Sequence, residues 1–293
     1  MTDYRITHRT RYRYAEPVTF CQNLIHLTPR PLDTQPNPTS TLTVSPEPAV
    51  LASQVDYFGN PMTYFALQEP HRELVVEAVH AIRVLPRFAP TGTAPWEAVR
   101  DRLLADRSSD WLRARQFAFE SRYVTGVKEY REYARPSFAR GRSVLDAAVD
   151  LTRRLQGEFT YDPRATTTIA TPIKDVFRTR RGVCQDFAHL QLAAVRSLGL
   201  AARYVSGYLS TTPPPGKAKL VGADASHAWV SVFCGDAGWV DLDPTNNQFV
   251  GDRHIVLAWG RDYDDVSPVK GVILGGGPHT VEVSVDAQAV GPQ

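Results

Sequence analysis

The sequence predicts an α+β protein: a β-rich N-terminal module over residues 1–90, a helical connector over 91–155, and a mixed segment of helices and strands over 156–293. Three observations carry this reading. The first fourteen residues alternate with period two, twelve of the 22 prolines fall in the first 95 residues, and helix-forming composition sets in near Ala94. A chain of 293 residues suits two domains, or one large domain with an appended module.

In the module, Tyr4, Ile6, His8, Thr10, Tyr12 and Tyr14 share one face of an extended segment, and Arg5, Thr7, Arg9, Arg11 and Arg13 share the other. Proline excludes long helices here and leaves short strand-like runs, Thr41 to Val44 and Leu74 to Leu85. The arginine stripe could touch phosphates, but a solvated sheet face accounts for it. Pro90, Gly92 and Pro95 interrupt both periodicities, which puts the module boundary at Phe88 to Pro95. Helices are expected at Pro95 to Leu104, Asp110 to Glu120 and Val144 to Leu155, the last opened by a Ser143/Asp146 capping box. Beyond them come a short strand at Phe159 to Tyr161, a helix opened by Thr171 and Pro172, and a longer helix after Cys184. Strands follow at 202–209, 227–233 and 239–243, with a last one at Thr280 to Val285. The TTPPPGKAK stretch, Thr211 to Lys219, reads as an exposed loop and a candidate lid.

With 33 basic and 31 acidic residues the net charge is +2, which supplies no global field for nucleic acid or an anionic membrane. No run approaches the ~18 apolar residues of a spanning helix, and the alternating, charged opening is unlike a signal peptide. The expectation is a cytoplasmic protein with no nucleic-acid or membrane partner and no cofactor. Three scattered cysteines, Cys21, Cys184 and Cys234, form no disulfide framework and no zinc knuckle.

Chemistry concentrates in RTRRGVCQDFAHLQLAAVRSLGL, Arg178 to Leu200. Phe187, Leu190, Ala194, Val195 and Leu198 recur at helical spacing, so Cys184 stands at the helix start, where unpaired amides and the helix dipole favour a thiolate. Arg178, Arg180 and Arg181 would add to that field. Gly182 would let backbone approach a ligand, and the Cys184 amide would face an oxyanion. The competing reading of a lone cysteine in an apolar helix is a small buried hydrophobe, and it is preferred for Cys21 and Cys234.

A thiolate nucleophile needs an acid/base partner. Strands 227–233 and 239–243 flank CGDAG, a five-residue hairpin loop. If Phe233 faces Trp239, Asp243 lies opposite Trp229 and diagonal to His227 on one sheet face, within side-chain reach. Asp241 pairs with Ser231 and lies too far down the hairpin to orient the imidazole. The bland alternatives are a turn role for Asp243 beside Pro244 and a satisfied sheet histidine at 227.

GVCQDFAHL, SHAWVSVF and WVDLDPTNN resemble the three motifs of bacterial transglutaminase-like proteins, a branch of the papain-like thiol enzymes, and YRITHRTRYRYAEPVTFCQNLIHLTPR resembles the β-rich module that precedes their core. The resemblance implies a papain-like/transglutaminase-like catalytic core with nucleophile Cys184, general acid/base His227 and orienting Asp243. It implies an acyl-thioester route and leans toward hydrolysis, with transfer to a primary amine as the alternative and a silent binding or scaffolding protein as the non-enzyme reading. Crosslinking members carry a tryptophan some 35 residues before the nucleophile, whereas this chain has none between Trp111 and Trp229. Tyr161 and Gln185 are the side-chain candidates for that oxyanion duty. Tyr208 and Trp229, with Tyr204, are candidate walls of a substrate groove. Cys184, Asp186 and His189 could reach one ion, but no fourth ligand is signalled, so no metal is assigned. His254 and the acidic turn Asp262, Asp264 and Asp265 read as surface.

Overall fold

The computed structural model describes residues 1–126, 128–163, 171–211 and 225–290. The stretch 212–219, most of the candidate lid, lies outside the described residues.

The alternating opening becomes one long strand, β1 (Thr2–Ile25), with Tyr4, Ile6, His8, Thr10 and Tyr14 buried. It is followed by β2 (Thr39–Ser45), β3 (Val50–Val55), β4 (Pro61–Leu67) and β5 (His71–Val84), in the order β2-β5-β1-β4-β3. The register of β1 shifts between Arg13 and Val18, around Pro17, which has no N–H to give to a ladder. Up to Val18 β1 pairs with β5, and from Cys21 with β4. The arginine stripe is ion-paired along the outer face: Arg11 and Arg13 to Glu73, Arg9 to Glu77, and Arg13 also to Glu282.

Four helices form the connector: α1 (Trp96–Ala105), α2 (Ser109–Arg115), α3 (Lys128–Ala134) and α4 (Val144–Glu158). The Ser143 hydroxyl accepts the Asp146 amide at 3.1 Å, as the capping box requires. Helix α3 escaped the sequence reading because KEYREYA buries only Tyr130 and Ala134 and shows no apolar stripe. The catalytic segment then runs β6 (Thr160–Tyr161), α5 (Ile173–Thr179), β7 (Arg181–Gly182), α6 (Cys184–Ser197), β8 (Ala202–Leu209), β9 (Ala225–Phe233), β10 (Trp239–Asp243), β11 (Gln248–Phe249) and β12 (His254–Gly260). Every residue of α6 from Asp186 onward is buried, so this helix is the axis of the main core. The second sheet has the order β11-β10-β9-β8-β12.

The end of the chain departs from the three-part reading. β13 (Val269–Gly275) and β14 (His279–Ala289) leave the catalytic segment and pair with β1, Cys21 against Ile273 and His8 against Val285. The first sheet therefore has seven strands and is closed by the C-terminal segment.

Two side-chain amides couple this sheet to the second one. β12 is an edge strand, and its unpaired backbone is met by Gln35, which bonds both Val256 N and Val256 O, and by Asn60, which does the same at Trp259. These two residues stand in for a missing strand. Deeper in the interface, Tyr208 of β8 reaches the first sheet. Its hydroxyl is 3.0 Å from His8 Nδ1, and its ring stacks on His80. No helix among the described residues is long and apolar enough to cross a membrane.

Burial pulls the pKa of both His8 and His80 down to about 4, the latter helped by its neighbour. Because the folded values lie below the unfolded ~6.5, stability is intact above pH 6.5 and falls as pH drops toward 4, by up to ~3 kcal/mol for each ring. Urea unfolding at pH 7 and pH 4.5 measures this. His80→Gln should flatten the pH dependence, and parallel curves for variant and wild type would count against the assignment. Asn60→Ala, which strips two bonds from buried backbone, should cost about 2 kcal/mol in the same assay.

Candidate active site

The position of Cys184 is set by the turn into α6. β7 pairs in parallel with β6, Tyr161 against Gly182, and the chain then enters the helix with Cys184 as its first residue. The Asp186 carboxylate accepts the Val183 amide at 2.9 Å and ties off one N-terminal donor. Gly182 serves that contact: a Cβ there would sit 2.8 Å from the Asp186 carboxylate, so the glycine makes room for a helix cap, and this replaces the ligand approach expected from sequence. The neighbouring arginines are occupied elsewhere. Arg178 pairs with Asp175, Arg181 with Asp162, and Arg180 stacks on Phe159 and Phe177. Among the described residues, the positive field at the sulfur comes from the helix end and from His227.

The hairpin has the expected register, with Phe233 against Trp239 and Ser231 against Asp241. It brings His227 Nε2 to 2.8 Å from Asp243 Oδ2, and the Cys184 side chain stands near enough to the same imidazole to favour its charged form. The three groups meet. Asp241 turns away to Arg87 at 3.0 Å.

Asp243 is wholly buried and fully used. Oδ1 accepts the Thr245 and Asn246 amides at 3.0 and 3.2 Å, the turn that ends β10 at Pro244. Oδ2 accepts from His227, from Asn246 Nδ2 at 2.7 Å, and from His254 Nε2 at 3.2 Å. His254 corrects the surface reading: it is 1% exposed and belongs to the site. The Gly251 amide donates to its Nδ1 at 3.3 Å, which fixes the neutral tautomer with the proton on Nε2, aimed at Asp243. The signal was available, because Ile255, Val256 and Leu257 are a short apolar run consistent with a buried strand. Asn246, inside WVDLDPTNN, joins the site through its bond to Asp243, a role the motif alone does not single out.

The charges follow from this geometry. Burial alone would lower the pKa of His227, but the bonds from Asp243 and Cys184 and their negative charges outweigh it and lift it to about 10. Burial would raise Asp243, yet its donors hold it far below the usual carboxylate range. Burial lowers His254 despite the bond to Asp243, consistent with a neutral ring.

Other candidates divide cleanly. Tyr161 is 53% exposed, and its phenol is pushed up by partial burial and by the nearby Cys184. Gln185 is half-buried on the first turn of α6. Tyr208 and Trp229, both 0% exposed, are not groove walls. Tyr208 belongs to the inter-sheet core, whereas Trp229 packs beside His227 and edge-on to His254. Gly207 accommodates that indole, since a Cβ there would lie 2.5 Å from its ring. Tyr204 is buried core as well. His189 accepts the Tyr263 amide at 3.2 Å, and burial drives its pKa to about 3, so it is a structural neutral ring remote from ligand duty. Asp262 is buried and caps Tyr123 and Asp264 amides, and Asp264 and Asp265 are partly covered, which corrects the surface reading of that turn. Cys21 and Cys234 are buried thiols, raised by burial, Cys234 to about 12.

His227, Asp243 and His254 place their ligand atoms within 4.8 Å of one another, close enough to hold a metal ion. The same atoms already form the hydrogen bonds above, so an ion would have to displace both Nε2 protons.

Residues 4–83 match the family model described as the bacterial transglutaminase-like N-terminal region, and residues 131–244 match that of the transglutaminase-like superfamily. An uncharacterized protein of Mycobacterium tuberculosis H37Rv is 42% identical over 293 residues, covering 97% of this chain and 91% of that protein. A protein-glutamine gamma-glutamyltransferase of Pseudomonas aeruginosa is 35% identical over 89 residues, 30% of this chain and 13% of its own length. Among solved structures, a candidate cysteine protease from Cytophaga hutchinsonii superimposes with a TM-score of 0.76 at 18% identity, covering 100% of this chain and 92% of that one, a likeness of fold.

The geometry makes Cys184 the one thiol expected to react in the native protein. Iodoacetamide at pH 7 should add one equivalent, at Cys184 only, and the rate should fall at least tenfold in His227→Ala. Mass mapping of the alkylated peptides checks this, and labelling at Cys21 or Cys234 at a comparable rate would refute it.

Proposed function

The chain belongs to the transglutaminase-like superfamily, and from that premise we propose that it is a cysteine-nucleophile amide-bond hydrolase, a peptidase or amidase working through Cys184, His227 and Asp243. The observation that carries the reading is the line-up of the Cys184 sulfur, the His227 imidazole and a buried carboxylate hydrogen-bonded to that ring, surroundings that lift the imidazole pKa to about 10. Such a ring is charged at neutral pH and stands beside a sulfur at a helix N-terminus, the arrangement of a thiolate–imidazolium pair.

In the first half-reaction the Cys184 thiolate attacks the carbonyl carbon of an amide. The oxyanion forms against the Cys184 amide, which makes no hydrogen bond among the described residues, with the Tyr161 phenol and the Gln185 side chain as flanking donors. His227 gives its proton to the departing nitrogen, the C–N bond breaks, and an acyl-thioester remains on Cys184. The neutral imidazole then takes a proton from water, whose oxygen attacks the thioester. The carboxylic acid leaves and the thiolate–imidazolium pair is restored. Asp243 stays ionised throughout and holds the ring so that Nε2 is never the reacting nitrogen.

A second reading replaces water by a primary amine, and the local likeness to a protein-glutamine gamma-glutamyltransferase favours it. A non-catalytic scaffold has less support, because all three reacting groups are present and in contact. The substrate we assign is a peptide or protein, and the compartment the reducing cytoplasm, in keeping with three unpaired cysteines.

Product analysis separates these readings. A glutamine-containing peptide library incubated with monodansylcadaverine should yield free acids with little dansyl incorporation, and Cys184→Ala should yield neither. Asp243→Ala should retain between about 10⁻² and 10⁻⁴ of the wild-type kcat, since the ring loses its orienting partner. Predominant dansyl incorporation would establish the transferase reading, and an unreactive Cys184 with no turnover would establish the scaffold.

A further inference from the structure

At the other end of the second sheet from His227, Arg203 of β8 lies with its guanidinium carbon 3.7 Å from the ring centre of Trp259 and 4.4 Å from that of Trp239. Arg30 also lies 3.7 Å from the centre of Trp259, so the two cations occupy opposite faces of one indole. Their polar atoms fare differently. Arg30 donates to the Phe58 carbonyl and to Asn60 Oδ1. Arg203 makes no hydrogen bond or ion pair among the described residues, and its Nε is buried without an acceptor. The carboxylate whose charge reaches Arg203 is Asp241, but Arg87 already holds that group at 3.0 Å. Asp56 is the other carboxylate near the cluster, and it is committed to the Phe58 and Asn60 amides and to His26. Three guanidinium groups thus share two engaged carboxylates, an excess of positive charge where desolvation is costly. Burial draws the Arg203 pKa down to about 9, in the same sense.

Arg203 opens onto a cavity of about 830 Å³, whose walls include Phe58, Phe117 and Trp239. Exposed Arg113 and Asp110 stand at the mouth. We propose that this cavity binds a carboxylate borne on an aromatic or apolar body, the C-terminal residue of a peptide being the type, with its two oxygens on the Arg203 fork. A guanidinium flanked by two indoles can offer its N–H fork to a planar, bidentate acceptor. The aromatic walls receive the body. At the rim Asp236 is held by Arg102, which leaves Asp110 as the carboxylate there without an ion pair among the described residues; it disfavours a second negative charge, and the planar fork suits a carboxylate better than a phosphate dianion. Arg203 pairs with Ser231, four residues along β9 from His227, a backbone separation of about 13 Å, so the site is separate from the reacting carbonyl.

The test uses the full-length Cys184→Ala protein, so that turnover plays no part and the result is independent of the hydrolase reading. Tryptophan fluorescence is followed on titration with N-acetylphenylalanine, its amide, and inorganic phosphate. The acid should produce a saturable change, with the amide and phosphate each at least tenfold weaker. Arg203→Met should abolish the response, and Arg203→Lys should weaken it at least fivefold, because the point charge survives and the fork does not. Asp110→Arg, at an exposed position outside the core, should tighten binding severalfold and keeps the test alive if Arg203→Met does not fold. Equal affinity for acid and amide, tighter binding of phosphate, or an Asp110→Arg protein with unchanged affinity would each overturn the proposal.

Discussion

One carboxylate oxygen organises the site. Asp243 Oδ2 accepts three N–H groups, from β9, from β12 and from the turn after β10, in a place without solvent access. A buried charge of this kind is tolerable only when it is fully bonded, and losing any donor leaves the others misplaced. That requirement couples distant parts of the chain. β12 delivers His254, β12 is an edge strand, and its open edge is closed by Gln35 and Asn60 of the N-terminal module. The module therefore stands behind the active site mechanically: amides more than 190 residues earlier hold the strand that holds the second histidine.

The two histidines on that oxygen have opposite characters because their second nitrogens differ. The Nδ1 of His254 accepts a backbone amide, so protonating it would set two hydrogens against each other, and the ring stays neutral. His227 has Cys184 as its other partner, and negative charge on both sides stabilises its cationic form. His254 acts through Asp243 as a positioning residue.

Much of this was legible in the sequence where local rules decide. The start of α6 follows from apolar spacing after Cys184, the cap at Ser143 from a two-residue pattern, and the choice of Asp243 over Asp241 from strand pairing across a five-residue loop. What stayed hidden depends on contacts between residues far apart in the chain. β13 and β14 look like ordinary strands of the catalytic segment until β1 is seen to lack partners. Arg178 to Arg181 look like a field around the sulfur, but each finds a nearer carboxylate or ring. Tyr208 and Trp229 have the composition of groove walls and the burial of core, because a histidine pair on one sheet and a glycine on the next strand absorb them. His254 shows the limit most clearly, since nothing within ten residues of it announces that a carboxylate needs a third donor.

An imidazolium held between sulfur and carboxylate is the centre of the site, and the ionisation of that ring can be read directly. In the wild-type protein, ¹⁵N NMR of labelled histidine should show both nitrogens of His227 protonated at pH 8, with deprotonation near pH 10. Cys184→Ala and Asp243→Asn should each move that transition downward, and the double variant should bring it below 6.5, where burial alone would leave it. A His227 ring already neutral at pH 8 in the wild type, or one whose transition ignores both substitutions, would contradict the account.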